Sequence, residues 1–197
     1  MKKVLSIMGF AMVVMAVAVV AGCSAFTPTY KTADGTEVKL TKEERKALYA
    51  YEDSVTAADA MKAVLDSSFI AAADQLTLKR GRNVNVSSNL NYVSLNGTNA
   101  VIQVGSTFSI YGPNGIGGVT LEGYARDIDI KTDKKGNVSL YMRVMGSGLS
   151  GEVNLQMAKG SNHATVQVKG TFSSSRITMH CTVSPYEPYK MVQGRSL

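Results

Sequence analysis

Tryptophan is absent from these 197 residues, and cysteine and histidine occur only twice each. Two cysteines build no disulfide framework, and Cys23 lies in an N-terminal motif that consumes it, which leaves Cys181 without a partner. His163 and His180 show no H-E-x-x-H or paired-cysteine spacing, so no metal signature exists and no cofactor is expected. No nucleophile elbow of the G-x-S-x-G type occurs either. The net charge of +6 is spread out rather than clustered, which removes the electrostatic footprint that nucleic acid requires.

What the chain does have is a leader. Lys2 and Lys3 form a positive start, Ile7 to Val20 is an apolar run, and Val20, Ala21, Gly22 and Cys23 have the form of a lipobox. An uncleaved membrane anchor needs about 20 apolar residues, more than this run offers. The expected organisation is a lipoprotein signal peptide over 1–22, a tether lipidated on Cys23 over 23–40, and one domain over 41–197. Two acyl chains hold such a protein stably at a membrane. Ser24 stands where an aspartate would resemble the inner-membrane retention signal of enterobacteria, and no acidic cluster follows. The expected address is the outer membrane, facing the periplasm.

Thr41 and Glu44 have capping-box spacing, so a helix is predicted to start there. Leu48, Tyr51, Val55, Ala58, Met61 and Leu65 recur at three and four residues and predict its buried stripe. From Phe69 the apolar period becomes two. Asn96 and Gly97 separate two alternating runs, the strongest short-range hairpin signal. Further runs centre on Leu140, Leu155, Val166 and Cys181, and turns are expected at Lys135–Asn137 and Gly160–Asn162.

The longest run changes phase. Val119, Leu121 and Ala125 occupy odd positions but Ile128 and Ile130 even ones, which predicts a bulge or bend near Arg126 and Asp127. The fold class is therefore α+β: an N-terminal amphipathic helix packed on a curved antiparallel meander of about eight or nine strands, half-barrel or barrel-like.

Few residues offer chemistry. Asp127, Asp129 and Lys131 alternate with isoleucines, the ordinary pattern of a solvated strand face. Cys181 falls on an apolar face while His180 points to the other side, so the two cannot act together. The glycine-rich segment Gly112, Pro113, Asn114, Gly115, Ile116, Gly117, Gly118 could present backbone N–H groups to a ligand, yet it lacks the Lys and Ser/Thr of a phosphate loop. It is the candidate ligand or partner loop.

Phe69, Ala73 and Asp74, then Asn91, Tyr92 and Val93, Gln103, the run Gly112 to Gly118 with Thr120 and Gly123, Lys135 to Asn137, Pro185 with Tyr186, and Gly194 resemble a family of Bacteroidetes lipoproteins known only as domain of unknown function 4251. The resemblance covers roughly Ser67 to Leu197. It implies a bacterial envelope location and brings no activity, substrate or catalytic residue. The expected role is a non-catalytic binding or structural module of the envelope, with a small apolar or anionic envelope ligand as partner. The alternative is an enzyme acting on envelope polymers through Asp127, Asp129 or His163.

Overall fold

The computed structural model describes residues 29–31, 37–78, 81–105, 118–171 and 176–196. It divides into two compact units, Met1–Tyr51 and Glu52–Leu197. In the first, β1 (Thr29–Lys31) pairs antiparallel with β2 (Glu37–Lys39). This hairpin lies in the segment expected to be a plain tether, and its three-residue strands are too short to give a period-two signal.

Helix α1 (Lys42–Leu65) begins in the first unit and ends in the second. The capping box forms as expected: the Thr41 N–H donates to Glu44 Oε2 at 2.9 Å, and the Glu44 N–H donates to Thr41 Oγ1 at 3.2 Å. The Thr41 backbone N–H first, and then the Thr41 hydroxyl, which donates to Glu44 Oε2 at 3.0 Å, hold the Glu44 carboxyl below the usual carboxylate range. The helix ends where Ser67 takes a left-handed φ of 54°.

The predicted buried stripe is corrected. Tyr51, Val55 and Leu65 are 53, 39 and 48% exposed, whereas Ala57, Ala60, Ala63 and Val64 are buried. Of the predicted residues, Met61 packs against the core. Small alanines let the helix backbone approach the barrel closely, and they carry too little hydrophobicity to outweigh the larger residues in a periodicity reading.

The second unit contains β3 (Ser68–Thr77), β4 (Asn83–Asn85), β5 (Tyr92–Asn96), β6 (Asn99–Val104), β7 (Val119–Thr132), β8 (Val138–Met145), β9 (Ser150–Met157), β10 (His163–Gly170) and β11 (Ile177–Pro185). All pair antiparallel, and the extra pairing of β11 with β3 closes eight strands into a barrel with β4 outside. The meander is thus a full barrel. Alternation along each strand points Phe69, Leu95, Ile102, Leu121, Leu140, Met142, Leu155 and Met179 into one continuous core, each 1% exposed or less. Ala60, Ala63 and Val64 of α1 join that same core.

The predicted bulge is present. The β7–β8 register shifts between Arg126 and Asp129, and Asp127 adopts φ 53°. The extra residue moves Ile128 and Ile130 against the core although their parity differs from that of Leu121 and Ala125. A second bulge, with no clear sequence signal, lies in the closing pair: Cys181 faces Ala73 but His180 faces Gln75, so Asp74 is the extra residue.

Candidate functional site

Of the expected site residues, Cys23, Gly112, Pro113, Asn114, Gly115 and Gly117 lie outside the described residues. Gly118 is described and sits at the neck of the loop. A Cβ there would stand 1.8 Å from the Val104 carbonyl oxygen, so only glycine lets the chain re-enter the sheet this close to where it left.

Behind that neck is a buried polar network. Gln103 is 0% exposed, and its Nε2 donates to the carbonyl oxygens of Leu90 (3.2 Å) and Val192 (2.6 Å). Its Oε1 accepts from Thr120 Oγ1 (3.0 Å) and the Gly194 N–H (2.8 Å). Both amide hydrogens and both lone pairs are thereby used. Asn91, also buried, accepts the Gly105 N–H at 2.9 Å and donates to the Ser87 carbonyl at 2.9 Å.

The C-terminal segment completes this arrangement. After a short 3-10 turn at Pro188–Lys190, the Val192 N–H donates to the Asn89 carbonyl, and Gln193 Nε2 donates to Glu122 Oε2 at 2.8 Å. The segment is a strap over the outer sides of β5, β6 and β7. Its bonds to Gln103 help bury Gln103 and the partner Thr120 on what would otherwise be a solvent face, where Tyr92 and Ser94 are buried too. Burial, followed by the nearby Tyr186 and Glu122, pushes the Tyr92 hydroxyl up to about 12.

The candidate acid–base groups are dispersed. Asp127 pairs with Arg143 at 3.2 Å and Asp129 pairs with Lys131, all of them substantially exposed. Cys181 is buried, and burial, with Asp74 second, pushes its thiol up to about 12, which disfavours a thiolate. His180 lies on the outer side of the same strand, where Nε2 is 3.0 Å from Thr77 Oγ1. The Thr77 hydroxyl proton is directed to Asn83 Oδ1 at 2.7 Å, so His180 Nε2 is the donor to Thr77. His163 Nδ1 is 3.5 Å from Thr182 Oγ1. Among the described residues no three His, Cys, Asp or Glu side chains group in a way that could hold a metal.

An open cleft of about 670 Å3 reaches from the β7–β8 turn to β11 and β3, lined by core residues such as Val138 and Met157 as well as by outward ones. Asp133, Ser139, Gln156, His163, Thr165 and His180 are among its walls. Asp133 is committed to its turn: it accepts the N–H groups of Lys135 (2.8 Å) and Asn137 (2.9 Å) and the Asn137 side-chain amide. These bonds, the Asn137 backbone N–H first, hold its carboxyl below the usual carboxylate range.

Strand register places this cleft on a patterned surface. Ser139, Gln156, Thr165, His180, Gln75 and Asn85 are successive cross-strand partners from β8 to β4. Tyr141, Asn154, Gln167, Thr178, Thr77 and Asn83 form the adjacent row. Each residue is solvent-accessible, and none carries a fixed charge. No single strand shows this pattern, because each contributes only two residues to it.

The model of the family described as Domain of unknown function (DUF4251) matches residues 51–183. The chain belongs to the DUF4251 family. A crystal structure of a DUF4251 family protein from Bacteroides eggerthii is similar, with 34% sequence identity and a TM-score of 0.61, over 69% of this chain and 91% of that one. A search of curated proteins gives no match. The matched region of this DUF4251 protein contains Gln103, Thr120 and both outer rows, and excludes the strap residues Val192 and Gly194.

Proposed function

We propose that this DUF4251 protein is a lipid-anchored component of a bacterial envelope. It is held through Cys23 at the outer membrane with its barrel facing the periplasm, and the barrel works as a non-catalytic binding module. The leader from Lys2 to Cys23 supports the address, and the similar protein comes from a bacterium, Bacteroides eggerthii. The observation that carries the binding role is the open 670 Å3 cleft on a barrel whose interior is filled by its own side chains. A small-ligand site typically encloses about 300–1,000 Å3, so the cleft has the capacity for one.

The address is tested by metabolic labelling with an alkyne fatty acid in a Bacteroides host, followed by membrane fractionation and protease treatment of intact cells. The full chain should carry the label, sediment with outer membranes and resist external protease. Cys23→Ala should lose the label and leave the membrane fraction. An unlabelled, soluble wild-type protein would refute the anchor.

A further inference from the structure

We propose that the uncharged outer face of the barrel is a binding surface for a neutral, polyhydroxylated glycan chain, with the cleft as its deepest subsite. The inference rests on the reading of the barrel as a binding module, and names its ligand class. A surface built for solubility carries about 25–35% charged residues, at which twelve outward positions would hold three or four of them. The two rows from Ser139 to Asn85 and from Tyr141 to Asn83 hold none. Charges return at once beyond them, where Asp129 and Lys131 of β7 flank one end and Arg143 faces Glu152 in the next row.

The side chains are suited to hydroxyl groups. Asn154, Gln156 and Gln167 lie on the neighbouring strands β9 and β10, and their amides have no hydrogen-bond partner among the described residues. Each amide offers a donor beside an acceptor, the combination that two adjacent sugar hydroxyls can satisfy together. Tyr141, opposite Asn154, adds a half-buried ring whose apolar face can cover the C–H side of a pyranose. Neighbouring strands stand about 4.7–4.9 Å apart, so hydrogen-bonding groups recur along each row at close to the length of one sugar unit in an extended chain.

Other ligands fit less well. No lysine or arginine lines the cleft and Asp74 and Asp133 border it, which opposes a phosphate or other anion. Val138, Met157, Ala164 and Cys181 line it but are each only 1 to 6% exposed, a small side-chain area for an acyl chain. A neutral glycan requires neither a countercharge nor an apolar trough, and uncharged groups cost less to desolvate than ions.

The test uses the full chain in mild detergent, run on native gels containing a neutral β-glucan, a mannan or a soluble N-acetylglucosamine polymer, with heparin and anionic vesicles as comparisons. At least one neutral polymer should retard the protein. The triple variant Asn154→Ala, Gln156→Ala, Gln167→Ala should weaken that binding at least tenfold with an unchanged melting temperature, and Gln156→Lys should weaken it on its own. Retardation by no neutral polymer, equal binding by the triple variant, or binding confined to heparin or vesicles would overturn the proposal. Recovery of the glycan at its original chain length supports binding without turnover, while shortened chains overturn the non-catalytic reading. Fatty-acid labelling is scored separately, so loss of the anchor and loss of glycan binding are distinguishable failures.

Discussion

Replacing Gln103 by methionine keeps side-chain volume and removes every hydrogen bond of a fully buried amide. Four partners are affected: Leu90 and Val192 lose a donor to their carbonyls, Thr120 Oγ1 loses an acceptor, and so does the Gly194 N–H. The two on the strap can turn to water once it lifts. Lifting the strap also opens the face it covers, so the loss is limited by the release of the strap; with a buried polar group that loses its partner costing about 1–3 kcal/mol, we expect a total loss of about 3 kcal/mol. For a domain of this size each kcal/mol lowers the melting temperature by about 2–4 °C, giving a fall of roughly 6–12 °C. Urea denaturation measures the first quantity. Hydrogen exchange at the Gly194 amide, whose only acceptor among the described residues is Gln103, measures the second consequence, release of the strap. A loss below about 1 kcal/mol with Gly194 still protected would refute the view that this amide joins strap to barrel.

Close approach at Gly123 predicts that Gly123→Ala is severe, because its Cβ would stand 2.1 Å from the Met145 carbonyl oxygen and a backbone atom cannot rotate away. A cost of about 2–4 kcal/mol is expected by chemical denaturation, against less than about 0.5 for Gly148→Ala, which meets open space. At the β7 bulge, Asp127→Val should cost about 1–2 kcal/mol, because a β-branched side chain opposes φ 53°, whereas Asp127→Gly should be near neutral. The pH dependence follows from two groups that burial keeps neutral. The folded pKa of Cys181 is raised from 9.0 and that of Tyr92 from 10.0, both to about 12. The folded state therefore holds these protons more tightly than the unfolded chain, and its stability is complete below pH 9 and declines from there towards pH 12. Cys181→Ala should flatten the early part of that decline in melting temperatures measured from pH 8 to 11, leaving the part due to Tyr92. An identical slope in the variant would show that the thiol is not the group being titrated.

Some of this was legible in the residues themselves. Period-two alternation reports the face directly, so the parity change between Ala125 and Ile128 located the bulge, and Thr41 with Glu44 located the helix start. Closure was not legible, because the pairing of β11 with β3 joins residues such as His180 and Gln75 across most of the chain and depends on accumulated curvature. Gln103 alternates with Ile102 and Val104 as a solvent-facing residue would, and only the distant strap makes its face an interior. The uncharged rows were hidden for a related reason. Thr165 and Gln167 look like any outward pair on one strand, and only register lines them up with Gln156, Asn154, His180 and Thr178.

The glycine-rich loop and the cleft, both candidates for ligand contact, belong to different ends of β7. Gly118 adjoins the start of that strand at Val119, beside the strap network, while Asp133 and the cleft follow its end at Thr132. None of the four partners of Gln103 lines the cleft, and neither Asn154, Gln156 nor Gln167 bonds to the network. Substitutions at separated sites without shared partners combine additively to within about 0.3–0.5 kcal/mol. Loss of Gln103 should therefore lower stability without changing glycan affinity, and loss of the outer amides should do the reverse. A variant at Gln103 that folds yet no longer binds glycan would place the ligand at the loop, and would move the binding surface to the opposite end of the barrel.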